Sequence, residues 1–211
     1  MLYDSKSFTL KDGRQAVLRV PTAEDAEAMV RYLTDTAAET EFVLRYPEEC
    51  YWTVEKEREL LQGFADNPNS LMLCCFVEGE LAGNCNLQFN GQMKFRHKAG
   101  VAIALYRKFW GLGIGTAMLN ALTEVARERG VEQLELDFIE GNERACGLYE
   151  KVGFVRVAEH PDAVKLKDGS YRKLIFMVKK LEHIFIGNGL PRRPRHRRGR
   201  LAMTCRKLER P

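Results

Sequence analysis

No stretch of this sequence stays apolar for the ~18 residues that a membrane-crossing helix requires, so the chain is expected to work in water and away from membranes. Its opening residues, Met1-Leu2-Tyr3-Asp4-Ser5-Lys6, lack the basic segment and apolar run of a secretory signal, and a cytoplasmic location is the expectation. Cysteine is present but unorganised. Cys50, Cys74, Cys75, Cys85, Cys146 and Cys205 show no Cys-x-x-Cys spacing, and His97, His160, His183 and His196 lie far apart. No metal site is therefore expected, and without an export signal the thiols read as free. There is no internal repeat, and the Gly-Lys-Ser/Thr ending of a nucleotide-hydrolase phosphate loop is missing.

What is present is the composition of a globular domain: 211 residues, 45% hydrophobic and 29% charged. The net charge of +4 is unevenly spread. Residues 191–211 carry nine Lys and Arg against one Glu, whereas the rest of the chain carries 24 basic and 28 acidic residues. The expected organisation is a folded domain over 1–186 and a basic, disordered extension over 187–211.

Hydrophobic patterning divides the domain into elements. Phe8 to Leu10 and Ala16 to Val20 read as strands around an Asp12-Gly13 turn. Helices are expected over about 23–38 and 54–65, capped by Thr22 and Thr53. Between them, Glu39 to Trp52 reads as a loop. Leu71 to Val77, Leu81 to Phe89 and a strand ending near Leu105 form an antiparallel meander, with Asn90-Gly91 expected as its second turn. Gly113 to Arg129 turns helical, with Ile114, Met118, Leu122 and Val125 on one stripe and Gly130 as the stop. Leu134 to Phe138, a short helix from Asn142 to Lys151, Phe154 to Ala158 and Leu174 to Val178 complete an α/β chain on a mixed sheet.

Two segments carry chemistry. Trp110-Gly111-Leu112-Gly113-Ile114-Gly115-Thr116 joins a strand to a helix, and such a turn presents backbone N–H groups and a positive helix end to an anion. A Rossmann fingerprint beginning at Gly111 fails, because Thr116 stands where glycine or alanine is needed. The second segment is Asn142-Glu143-Arg144-Ala145-Cys146-Gly147-Leu148-Tyr149-Glu150-Lys151-Val152-Gly153-Phe154. Asn142 suits an N-cap, Ala145 and Tyr149 share a helix face, and Gly147 within the helix costs about 1 kcal/mol against alanine.

Together the two segments resemble the signature motifs of the GNAT acetyltransferase superfamily, a Gly-x-Gly turn into a helix followed by N-x-x-A-x-x-L-Y-x-K-x-G-F. The second motif matches at every defined position; in the first, Trp110 stands where relatives often have Gln or Arg. The element order resembles the family over about 8–181. The resemblance implies the GNAT fold, a mixed, mostly antiparallel sheet flanked by helices with splayed middle strands. It also implies an N-acetyltransferase moving acetyl from acetyl-CoA to a primary amine by direct attack.

On that resemblance, backbone groups of Ile103 and Leu105 pair with the pantetheine arm, and an N–H of the stretch Ile103, Ala104, Leu105 meets the charge developing on the carbonyl oxygen. Amides of Gly111, Leu112, Gly113, Ile114, Gly115 and Thr116 hold the pyrophosphate, Trp110, Asn142 and Ala145 belong to the coenzyme-binding set, and Tyr149 protonates the departing thiolate. Glu41, Asp137, Glu140 or a water chain take the amine proton, and Phe42, Tyr46 and Trp52 line the acceptor pocket. The partner is an amine acceptor, and a homodimer is left open. The alternative is a coenzyme-A-binding module directed to nucleic acid by Arg192 to Arg200 of the basic tail.

Overall fold

The computed structural model describes residues 3–182, so the basic extension and its nucleic-acid reading lie outside the described residues. The chain runs β1 (Lys6–Thr9), β2 (Gln15–Arg19), α1 (Ala26–Glu39), α2 (Val54–Asp66), β3 (Ser70–Val77), β4 (Glu80–Phe89) and β5 (Lys98–Leu105). It continues through α3 (Ile114–Glu128), β6 (Gln133–Ile139), α4 (Glu143–Lys151), β7 (Val155–Lys165) and β8 (Tyr171–Lys180). This is the order that the patterning predicts. The strands form one sheet in the order β1-β2-β3-β4-β5-β6-β8-β7, antiparallel at every junction except β5 with β6.

β3 explains how two helical layers hold to one sheet. Every residue of β3 is buried, as in a strand covered on both faces. Leu71, Leu73, Cys75 and Val77 pack with Met118, Leu119 and Leu122 of α3. Met72, Cys74 and Phe76 pack with Met29 and Tyr32 of α1 and Leu61 of α2. The period-two alternation of a strand thus feeds two cores from one segment. α1 is fastened by polar contacts as well. The Tyr32 hydroxyl donates to Asn84 Oδ1 at 3.1 Å, and Arg19 grips Asp25 through two contacts of 2.7 and 2.8 Å.

Local signals explain the boundaries. Thr53 Oγ1 accepts from the Lys56 N–H at 3.2 Å, and Asn142 Oδ1 accepts from the Ala145 N–H at the same distance. Gly130 and Gly153 take positive φ angles of 71° and 95° just beyond α3 and α4. Three expectations are corrected. The first helix begins with a separate 3-10 turn, Ala23–Asp25, before the α-helix proper. Asn90-Gly91 only opens a connection over 90–97; Asn90 Nδ2 bridges it to the Lys98 carbonyl at 3.0 Å, and Gly91 lacks the positive φ of a tight hairpin. β7 runs on to Lys165 through irregular pairing with β8.

Gly83 lets β5 lie against β4. A Cβ there would meet the Ala104 carbonyl oxygen and stand 2.9 Å from Leu105 Cα, both backbone atoms that cannot step aside. Gly83→Ala should therefore destabilise the fold by about 1–3 kcal/mol. Gly63→Ala, on α2 with no atom within 4 Å of the added methyl, should stabilise it by up to about 1 kcal/mol. Urea denaturation of both variants checks this; effects of equal sign would refute the packing argument.

Candidate active site

The site begins where the sheet opens. β5 and β6 pair only through Lys98 with Gln133, Ala99 with Leu134 and Gly100 with Glu135. Beyond Gly100 the two strands part, leaving the rest of β5 without a strand partner on that side. The Tyr106 N–H donates to the Ala82 carbonyl at 3.0 Å, which sets the alternation along β5. The backbone groups of Ala104 face β4, and those of Ile103 and Leu105 face the gap. Trp110 Nε1 donates to the Leu105 carbonyl at 3.0 Å, so that acceptor is already engaged. Trp110 acts here as a brace for the strand end, and its ring lies near the guanidiniums of Arg107 and Arg144, at 5.5 and 5.1 Å.

The glycine turn closes one end of the gap. Gly111 and Gly113 have φ angles of 81° and 98°, a conformation that L side chains rarely adopt. The first intrahelical bond of α3 runs from the Ala117 N–H to the Gly113 carbonyl, leaving the N–H groups of Ile114, Gly115 and Thr116 without helical acceptors. Gly115 lets the turn sit against α4, since a Cβ would stand 2.8 Å from Leu148 Cδ2.

A cavity of about 300 Å³ follows this route. Among its walls are Ile103, Ala104, Leu105, Trp110, Gly111, Gly113, Thr116, Asn142, Ala145 and Tyr149. Three expected residues lie outside those walls. Ile114 is buried in the core, Leu112 packs against the same core while its carbonyl accepts from the Lys11 N–H, and Gly115 sits behind the turn against Leu148. What Ile114 and Gly115 can offer an anion is backbone N–H. The sequence reading missed Lys11, Arg144 and Lys151, which also line this cavity and add positive charge. Arg144, Leu148 and Lys151 fall on one face of α4, a spacing that the sequence could have revealed.

A second cavity of about 640 Å³ lies on the α1–α2 side. Phe42, Val43, Ile103, Ala104, Asn142 and Tyr149 line both, so the two spaces meet at these residues. Tyr149 is almost wholly buried, with its ring 5.7 Å from that of Phe138 and 6.1 Å from that of Phe154. Burial, together with the nearby Asp137 charge, pushes its phenol up to about 12.

Of the three carboxylates considered as proton acceptors, only Asp137 lines this cavity. Glu41 is exposed outside it, and Glu140 pairs with Lys173 at 3.8 Å. Phe42 and Trp52 are wall residues, but Tyr46 is not: its hydroxyl accepts from the Lys167 N–H at 2.9 Å and ties the loop to the β7–β8 turn. Glu57, Arg45 and Asn86 also line the cavity, none of them picked out by sequence. Among the described residues no group of His, Cys, Asp and Glu is placed to hold a metal ion.

Sheet opening, glycine turn and paired cavities define an acyl-CoA acyltransferase type of fold, and comparison with known proteins agrees. The acetyltransferase (GNAT) family model matches residues 28–154, and the chain belongs to that family. A GNAT-family acetyltransferase from Streptococcus pneumoniae is 25% identical with a TM-score of 0.73, over 79% of this chain and 99% of that one. The ribosomal-protein-alanine N-acetyltransferase of Brucella melitensis is 25% identical with a TM-score of 0.68, over 78% and 99%. The yncA protein of Salmonella typhimurium, solved with acetyl-CoA, shares the fold at 17% identity and a TM-score of 0.68, over 84% and 98%.

Ultraviolet difference titration of the wild type against Tyr149→Phe should show one phenol ionising near pH 12. A difference centred near the ordinary value of about 10 would mean that Tyr149 is solvated.

Proposed function

We propose that the chain is an acetyl-CoA-dependent N-acetyltransferase acting on a primary amine, with residues 1–186 as the catalytic unit. The observation that carries this reading is the junction of the two cavities at Tyr149 and the unpaired stretch of β5. One cavity reaches the start of α3 at Gly113 and Thr116, where the first amides lack helical acceptors, and is lined by the cations Lys11, Arg144 and Lys151, a donor set that suits a diphosphate. The gap-facing groups of Ile103 and the Leu105 N–H suit an amide-bearing arm laid along the strand as an extra strand would be. The other cavity then receives the amine.

Acetyl-CoA supplies the activated acetyl thioester; the chain's residues govern the protons and the charge. An amine of pKa about 10.4 is only about 0.04% neutral at pH 7, so a proton acceptor at the acceptor side is required. Of the three carboxylates the sequence offered, Asp137 is the one supported for this role, since it lines the acceptor cavity and is felt electrostatically at Tyr149. Backbone N–H groups of β5 at the junction stabilise negative charge developing on a carbonyl oxygen.

For Tyr149 we infer hydrogen-bond donation in place of full proton transfer. A phenol pushed up to about 12 does not surrender its proton outright to a thiolate of pKa about 8.5. Tyr149 instead keeps its proton throughout the neutral range and stabilises the leaving sulfur by donating a hydrogen bond. Holding both partners at the junction supplies the larger share of the rate.

Isothermal titration of the full chain with acetyl-CoA should show saturable binding, and a flat titration at high coenzyme would reject the proposal. Tyr149→Phe should lower kcat by about ten- to a hundredfold with little change in coenzyme affinity, read by coenzyme release. Equal losses in both would make Tyr149 a packing residue. Asp137→Asn should lower kcat most steeply below the pKa of the acceptor amine; an unchanged pH profile would remove Asp137 from the mechanism.

A further inference from the structure

Five buried side-chain polar atoms among the described residues lack a hydrogen-bond partner: Tyr3 Oη, Arg45 Nε, Glu57 Oε2, Ser70 Oγ and Asn86 Oδ1. Three of the five belong to residues lining the 640 Å³ cavity. They come from three separate elements, the loop before α2, α2 itself and β4, so no local turn geometry explains their convergence. Burying a polar atom without a partner opposes folding, and a carboxylate oxygen most of all. Glu57 is 3% exposed, on the inward face of α2 beside Leu61. Asn84 provides the contrast. It stands two residues before Asn86 on the same face of β4, and its Oδ1 is satisfied by the Tyr32 hydroxyl.

The three unpaired groups have a chemical pattern. Glu57 Oε2 and Asn86 Oδ1 accept, and Arg45 Nε donates and is cationic; burial pushes the Glu57 carboxyl up, and the Arg45 charge across the cavity opposes that shift. None of the three lines the coenzyme cavity or the walls that the two cavities share. They are therefore set apart from the walls shared with the coenzyme cavity and lie on the acceptor side of Tyr149.

We propose that Glu57, Asn86 and Arg45 form a recognition site for the far end of the acceptor, a zwitterionic amino-acid head. The ammonium goes to Glu57 and Asn86, and the carboxylate to Arg45. This rests on the transferase reading above and names its substrate class: a compact diamino acid, acetylated on the amine remote from its carboxylate. The surrounding walls, Met29, Leu33, Leu60, Phe64 and Met72, suit the methylene chain between the two ends. A lone diamine would leave Arg45 unmatched, and a simple carboxylic acid would leave Glu57 unmatched.

The test uses the full chain with ornithine and lysine against putrescine and cadaverine, their decarboxylated counterparts. Wild type should prefer the diamino acids by about tenfold or more in kcat/KM, the worth of one charge-assisted contact. Mass spectrometry should place the acetyl group on the side-chain nitrogen. Arg45→Gln should erase the preference by lowering kcat/KM for ornithine and lysine about tenfold, with the acetyl-CoA KM unmoved. Glu57→Gln should raise the acceptor KM about tenfold with the acetyl-CoA KM unmoved. Equal use of ornithine and putrescine by wild type would overturn the assignment. So would a fall in kcat at constant KM in Glu57→Gln, which would mark Glu57 as a proton acceptor. Calorimetry of ornithine with coenzyme A present separates the two proposals. Ornithine binding with no turnover of any of the four amines would sustain the recognition site and sink the transferase reading. Turnover of other amines with no ornithine binding would do the reverse.

Discussion

The parting of β5 from β6 is the constraint on which the remaining geometry depends. A parallel pair continued to its end would have spent the backbone groups of Ile103 and Leu105 on a neighbouring strand and closed the sheet. Pairing stops at Gly100 and Glu135 instead, and β8 takes the other side of β6 over its whole length. The sheet thus stays continuous at one end and open at the other. A strand edge buried inside a domain is normally a liability, since its polar groups must find partners. Here it is bordered by the glycine turn on one side and α4 on the other, which makes it a place for a ligand.

Two rigid features hold that opening in shape. Gly83 allows β4 to press against the end of β5, where any side chain would collide with backbone. The Trp110 indole then ties the last carbonyl of β5 to the turn that follows. The left-handed glycines at 111 and 113 direct the chain from that brace into α3 with its first amides free. Positions that any scaffold could fill with many residues are here restricted to those lacking a Cβ, and the restriction falls on the segment where a ligand's phosphates would approach.

How far the sequence revealed this depends on how local each signal was. Element order, the caps at Thr53 and Asn142, the stops at Gly130 and Gly153 and the glycine turn all arise within a few consecutive residues, and each was legible. The Asn90-Gly91 pair misled, because a turn dipeptide reports local preference while the register of β4 on β5 is fixed by burial; the chain needed residues 90–97 to reach it. Tyr46 misled for a similar reason, since an aromatic in a loop gives no sign of whether it faces a cavity or, as here, the Lys167 backbone. Glu57, Arg45 and Asn86 were invisible. Each looks like an ordinary surface residue in its own segment, and only the tertiary arrangement of α2, its preceding loop and β4 around one cavity brings them together.

The two cavities have common walls in Phe42, Val43, Ile103, Ala104, Asn142 and Tyr149. A molecule seated on one side of such a partition fixes the rotamers that the other side meets. Thermodynamic reciprocity then demands that the help or hindrance be equal in both directions. Any synergy between the two guests is therefore carried by the side chains that both spaces touch.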